Sequence, residues 1–170
     1  MNRQKQRRVA AVAATMVLIA AVDQAVKQLL LDRLEPGAPV SVIGDWFRLY
    51  LLFNPGAAFS MGENFTWLFT TIQLLFVVGA LVVAPRLRSR VELAGVSLIA
   101  GGALGNVCDR LFRAPGFFRG HVVDYISVGD FAVFNIADAC ITVGVVVVIA
   151  AMLFDQPGDA LGDEPGMERR

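Results

Sequence analysis

Four long apolar runs constrain this chain more than any other feature: Val9 to Leu31, Phe65 to Ala84, Leu93 to Cys108 and Ile136 to Phe154. A helix rises ~1.5 Å per residue, so crossing a ~30 Å hydrocarbon core takes about 20 mostly apolar residues. Lipid offers backbone N–H and C=O groups no partners, so runs of this kind are expected to be helices. The third run is the shortest and is rich in Gly and Ala, and Pro85 closes the second. The expected fold is therefore an all-α membrane protein with four transmembrane helices. Composition agrees: 56% of 170 residues are hydrophobic and 18% are charged, and the mean hydropathy is +0.60, beyond what a soluble domain carries. Zero net charge gives no basic field to gather nucleic acid, and no such partner is expected.

The segments between the runs are legible in outline. Pro36, Gly37 and Pro39 punctuate the chain, and Val40 to Ile43 and Phe47 to Phe53 read as a small extracytoplasmic β-rich element between helices 1 and 2. From Asp155 onward, acids, Pro and Gly leave too little apolar content for a core. The expected organisation is one membrane-embedded unit over 1–154 and a disordered cytoplasmic tail over 155–170. Arg3, Lys5, Arg7 and Arg8 before the first run also fit a secretory leader. Its length, reaching Leu31, and the three further runs favour a retained span. Those four basic residues, with Arg86, Arg88 and Arg90 between the second and third runs, place both termini on the cytoplasmic side.

On that map the polar residues collect at the outer leaflet. Asp23 and Lys27 lie late in the first run; Asn106, Asp109 and Arg110 end the third; Asn135 and Asp138 open the fourth; Asn54 and Asp124 lie in the outer loops. An ionised group at mid-membrane costs ~2.5 to 3.5 kcal/mol, so each needs a reason. Asp23 and Lys27, four apart on one helix face, read as a structural ion pair. Asn106, Asp109 and Arg110 share a face, with scaffolding and substrate positioning both open, and Arg110 offers a two-donor fork to a carboxylate or a carbonyl. Asn135 reads as a helix cap that puts Asp138 in the first turn. Asp124 stands in an apolar stretch with Val122, Val123, Tyr125 and Ile126, where a carboxylate is costly.

Two neighbouring carboxylates cannot both ionise cheaply and so share a proton. One can then deprotonate a water while the other hydrogen-bonds the carbonyl under attack, as in aspartic proteases, with no metal or organic cofactor. A capping role for Asp138 remains the bland alternative. A serine–lysine dyad of Ser60 and Lys27 is the rival peptidase mechanism, and a small membrane transporter is the rival from another class. Polar residues confined to one membrane face speak against transport. His121, the single histidine, reads as a loop residue without metal partners, and Cys108 and Cys140 as small buried hydrophobes.

Asp23 with Lys27, NPGAAF from Asn54 to Phe59, GGALGNVCDR from Gly101 to Arg110, HVVDYI from His121 to Ile126 and FNIAD from Phe134 to Asp138 form an ordered series. In these motifs the chain closely resembles bacterial lipoprotein signal peptidase, signal peptidase II, from Val9 to Phe154. The resemblance implies an aspartic endopeptidase of the bacterial cytoplasmic membrane. Such an enzyme removes signal peptides from diacylglyceryl-modified prolipoproteins, cutting just before the lipidated cysteine, and is bound by globomycin-type inhibitors. It further implies a catalytic dyad of Asp124 and Asp138, with Asn54, Gly56, Asn106, Asp109, Arg110 and Asn135 holding substrate or bracing the dyad. Small residues at Gly56, Ala57 and Ala58 would let an extended substrate backbone approach closely. The chain departs from the family at Tyr125, where Phe is common, and in the short stretch Ser127 to Val133, which puts a family lid in doubt.

Overall fold

The computed structural model describes residues 2–56 and 65–154. Its elements, in order, are α1 (Arg3–Leu31), β1 (Val40–Ile43), β2 (Phe47–Asn54), α2 (Thr66–Val83), α3 (Arg90–Phe112), β3 (Val122–Val128) and α4 (Ile136–Phe154). All four helices are long and apolar enough to cross a membrane, α2 together with the short turn that follows it. The 155–170 tail and the positions Ala57, Ala58 and Ser60 lie outside the described residues.

Helix boundaries differ from the apolar runs for local reasons. α1 begins at Arg3, ahead of Val9, because its Arg, Lys and Gln residues are good helix formers and Asn2 caps it by accepting from Gln4 N at 2.7 Å. Apolarity marks where lipid is, whereas helix propensity and caps mark where the helix stops. α3 likewise outruns Leu93 to Cys108 at both ends. It opens on a capping box in which Ser89 accepts from Glu92 N while the Glu92 carboxylate accepts from Ser89 N. Pro85 falls in a 3₁₀ turn, Ala84–Arg86, that ends α2.

Helix α3 is the hub, packed against α1, α2 and α4. Its Gly and Ala residues allow this. A Cβ on Gly95 would sit 3.0 Å from the Gly144 carbonyl oxygen, and one on Gly102 would sit 2.2 Å from that of Ala137. In lipid there is little hydrophobic drive between helices, so such close backbone approach carries the association. An apolar core of Val12, Met16, Val77, Ala80, Ala84 and Ala100 fills the half of the bundle away from the sheet. Leu18, Leu75, Val146 and Met152 point outward, as lipid-facing residues should.

A three-stranded antiparallel sheet, ordered β1-β2-β3, caps the other end. The first two strands are the expected element between α1 and α2. The third comes from the α3–α4 connection and pairs Asp124 opposite Leu52 and Val122 opposite Asn54. Its pattern is buried at four successive positions, Val122 to Tyr125, so it lacks the period-2 alternation that reveals a strand in sequence. Leu51, Val123 and Tyr125 anchor the sheet onto Leu30, Leu31 and Ile136. α1 thus supports both the sheet and α3.

Candidate active site

The polar residues singled out in the sequence meet beneath the sheet, where α1 and α3 end and α4 begins. Asp124, on β3, is 1% exposed. Its two oxygens accept from Asn54 Nδ2 at 2.8 Å and Asn135 Nδ2 at 2.6 Å. Asp138, in the first turn of α4, accepts from Asn106 Nδ2 at 2.8 Å and from Asn135 N at 3.2 Å. Asn135 caps α4 as expected, its Oδ1 accepting from Asp138 N at 2.9 Å. The same side chain therefore holds Asp124 by its amide and the backbone of Asp138 by its oxygen. Among the described residues no hydrogen bond joins the two carboxylates directly; Asn135 is the bridge.

The two acids live in different surroundings. Burial, with the Asp138 charge adding to it, pushes the Asp124 carboxyl up to about 7, against donors from Asn54 and Asn135 that pull it down. Asp138 is only half-buried and borders a cavity of about 420 Å³ whose walls include Phe131, Val133, Phe134 and Val143. One carboxyl thus holds a proton near neutrality inside the protein, and the other faces a mostly apolar cavity.

Behind them lies a buried charge cluster. Lys27 Nζ contacts Asp23 Oδ2 at 2.7 Å, Asp109 Oδ2 at 2.6 Å and Asn106 Oδ1 at 3.1 Å. The expected Asp23–Lys27 pair is present, but Asp109 joins it. Asp109 and Arg110 also part company. The Asp109 carboxylate turns to α1, to Arg113 and to Val123 N, whereas Arg110 turns to α2. The Arg110 guanidinium, 4% exposed, donates to Gln73 Oε1 and to the Pro55 carbonyl and lies 5.9 Å from the Phe69 ring centroid. Among the described residues the fork meets a carbonyl and a carboxamide, and no carboxylate within salt-bridge range. Gly56, at φ 114°, sits under it, and a Cβ there would stand 2.6 Å from Phe69 and 3.2 Å from Arg110 Nη2. Its N–H donates to Asn54 Oδ1 at 2.8 Å, which orients the Asn54 amide toward Asp124.

Three participants escaped the sequence reading: Gln24, which donates to Asp109 Oδ1 and the Gly105 carbonyl; Arg113; and Gln73. Arg113 carried a signal, four residues beyond Asp109 on one helix face. Cys108 and Cys140 are half-buried rather than fully buried, since both face outward in part. His121 lies in the loop before β3, its N–H bonded to the Ala114 carbonyl. Among the described residues no group of three or more His, Cys, Asp or Glu could hold a metal ion.

Comparison with known proteins identifies the family. Residues 15–154 match the family described as Signal peptidase (SPase) II. The lipoprotein signal peptidase of Rhodococcus jostii is 43% identical over 152 residues, covering 89% of this chain and 76% of that one. That of Streptomyces coelicolor is 42% identical over 144 residues, covering 85% and 71%. A solved structure described as a bacterial membrane enzyme superposes with a TM-score of 0.74 at 25% identity, covering 94% of this chain and 95% of that one. The four membrane-spanning helices, the polar site beneath the sheet and the match over residues 15–154 lead to one conclusion: this chain belongs to the signal peptidase II family of membrane peptidases.

Proposed function

We propose that this protein is an aspartic endopeptidase that removes signal peptides from diacylglyceryl-modified prolipoproteins, cutting just before the lipidated cysteine. The observation that carries the reading is the pair Asp124 and Asp138, bridged by Asn135 and held in unlike environments. Asp124, pushed up to about 7, exchanges its proton near neutral pH. Asp138 accepts two N–H bonds at a helix N-terminus and borders the apolar cavity.

In this reading Asp138 takes a proton from water as the oxygen attacks the scissile carbonyl carbon, and Asp124 gives its proton to the carbonyl oxygen. The tetrahedral diol then collapses. Asp138 passes its proton to the departing amine of the lipidated cysteine, the C–N bond breaks, and Asp124 recovers the diol proton. Arg110, which already donates to the Pro55 carbonyl, and the Gly56 turn are suited to hold substrate carbonyls. Asn54, Asn106, Asp109 and Asn135 brace the dyad, and Asp23 with Lys27 supports it. Anchoring by the diacylglyceryl group in lipid supplies part of the orientation.

Residues 1–154 act as one membrane-embedded unit in the bacterial cytoplasmic membrane, both termini inside and the dyad near the outer leaflet, as the Arg and Lys flanks suggest. Globomycin-type cyclic peptides would compete with substrate at the same aspartates. A Ser60–Lys27 mechanism needs a neutral amine, and Lys27 Nζ is committed to two carboxylates.

The test is cleavage of a diacylglyceryl-modified prolipoprotein by purified protein, comparing the parent with Asp124→Asn and Asp138→Asn. Both folded variants should be inactive. Comparable cleavage by either one overturns the aspartic mechanism, and Ser60→Ala then becomes the variant to make.

A further inference from the structure

The buried charges at the end of α1 do more than pair with one another. Asp23 Oδ1 accepts from Ala137 N at 3.2 Å, and Ala137 immediately precedes Asp138. Asp109 Oδ2 accepts from Val123 N at 3.2 Å, and Val123 immediately precedes Asp124. The cluster thus grips the backbone one residue before each aspartate, once on α4 and once on β3. Lys27 ties the two grips together, since its ammonium contacts both carboxylates.

The third N–H of Lys27 points at Asn106 Oδ1, 3.1 Å away. An ammonium has three donors and no acceptor, so the group that faces it must be an oxygen. Asn135 Nδ2 donates to the same oxygen at 3.2 Å. Two donors therefore fix which way the Asn106 amide lies, and its Nδ2 is left facing Asp138 Oδ1 at 2.8 Å. Without Lys27 the amide could turn and present its oxygen to Asp138, carboxylate against carbonyl.

We infer that Asp23, Lys27 and Asp109 form a positioning frame for Asp124 and Asp138: the two carboxylates set the separation of α4 and β3, and Lys27 sets the polarity of Asn106. This rests on the aspartic reading above. It differs from a simple ion-pair lock, because the frame reaches the reacting groups by hydrogen bonds of defined direction. A lock can be replaced by well-packed apolar groups at little cost. A polarity-setting donor cannot.

The experiment compares kcat and KM for the lipidated prolipoprotein in the parent, Lys27→Met, Lys27→Gln and Asp138→Asn, with thermal melting of each purified protein. Supporting groups of this kind are worth roughly 10- to 100-fold. We expect Lys27→Met to lose kcat by about that factor with KM within about twofold, and Lys27→Gln, which keeps an N–H for Asn106, to recover part of the loss. Folded Lys27→Met with the parent's kcat overturns the inference. Should Lys27→Met fail to fold, Asn106→Asp decides: it keeps shape and an oxygen for Lys27 but has no N–H for Asp138, and parent-like kcat there overturns the inference equally. Asp138→Asn separates the two levels, because activity in that variant sinks the aspartic reading itself, whereas its loss beside parent-like Lys27→Met sinks only the frame.

Discussion

The two ends of the helix bundle are built from the same four helices and held in different ways. Away from the sheet, Val12, Met16, Ala80, Ala84 and Ala100 pack without a charge among them, and Gly95 lets α3 lie against Gly144 of α4. Beneath the sheet, Asp23, Lys27, Asp109, Asn106 and Asn135 are buried and joined by directional bonds. The difference teaches what each kind of contact can specify. Close packing fixes how near two helices come. Directional hydrogen bonds also fix which atom faces which, and a site for proton transfer needs the second kind of order.

That contrast can be broken. In the aspartic reading Asp124→Asn and Asp138→Asn keep shape and remove a proton carrier, so they should cost the most activity, about 10²- to 10⁴-fold in kcat, with melting temperature nearly unchanged. A cleavage assay beside a thermal melt checks this, and equal losses in both would mean that the aspartates hold the fold. Asp109→Ala should be the most damaging to stability, roughly 3–5 kcal/mol, because it removes one of the two carboxylates that face buried Lys27, takes the carboxylate from Arg113 and releases Val123 N. Melting of the purified protein in detergent reads that loss.

Gly95→Ala tests the other end. Its Cβ would meet Val148 at 2.7 Å and the Gly144 carbonyl oxygen at 3.0 Å, so α3 and α4 must separate. We expect a loss of about 1–3 kcal/mol in stability with kcat and KM of the folded protein unchanged. A change in kcat would show that the apolar end also sets the site.

The pH dependence sharpens the comparison next. Asp124 is raised from 3.8 to about 7 in the fold, so the folded state holds its proton more tightly than the unfolded chain. Its contribution to stability is full below the unfolded value and is lost as pH rises through about 7. In the aspartic reading kcat/KM falls over the same alkaline range, and a pH–rate profile flat from 6 to about 9 would remove Asp124 as the acid. The smallest effect is expected from Tyr125→Phe. The Tyr125 hydroxyl lies near Ile136 N without the geometry of a hydrogen bond, so its removal should change stability by less than about 1 kcal/mol.

Much of the fold was legible because lipid imposes a simple rule on composition. The four runs became four helices, and Val40 to Ile43 with Phe47 to Phe53 became paired strands. β3 was not legible, since burial at successive positions erases the strand period. At the site, the polar residues could be located along each span but their partners could not. Asp109 and Arg110 are adjacent in sequence, yet they turn to different helices. Gln24 and Gln73 looked like ordinary polar members of apolar runs until their partners on α3 were in place.

By itself the sequence determined the number of spans, the single face on which polar residues gather and the residue types available there, because these follow from apolar length and the cost of burying charge. Tertiary structure alone decided that Asn135 bridges Asp124 and Asp138, that Lys27 orients Asn106, and that burial raises the Asp124 carboxyl to about 7. The physical reason is range. Apolar length is a property of consecutive residues, whereas Lys27 and Asp109 stand 82 positions apart and meet only when α1 and α3 pack.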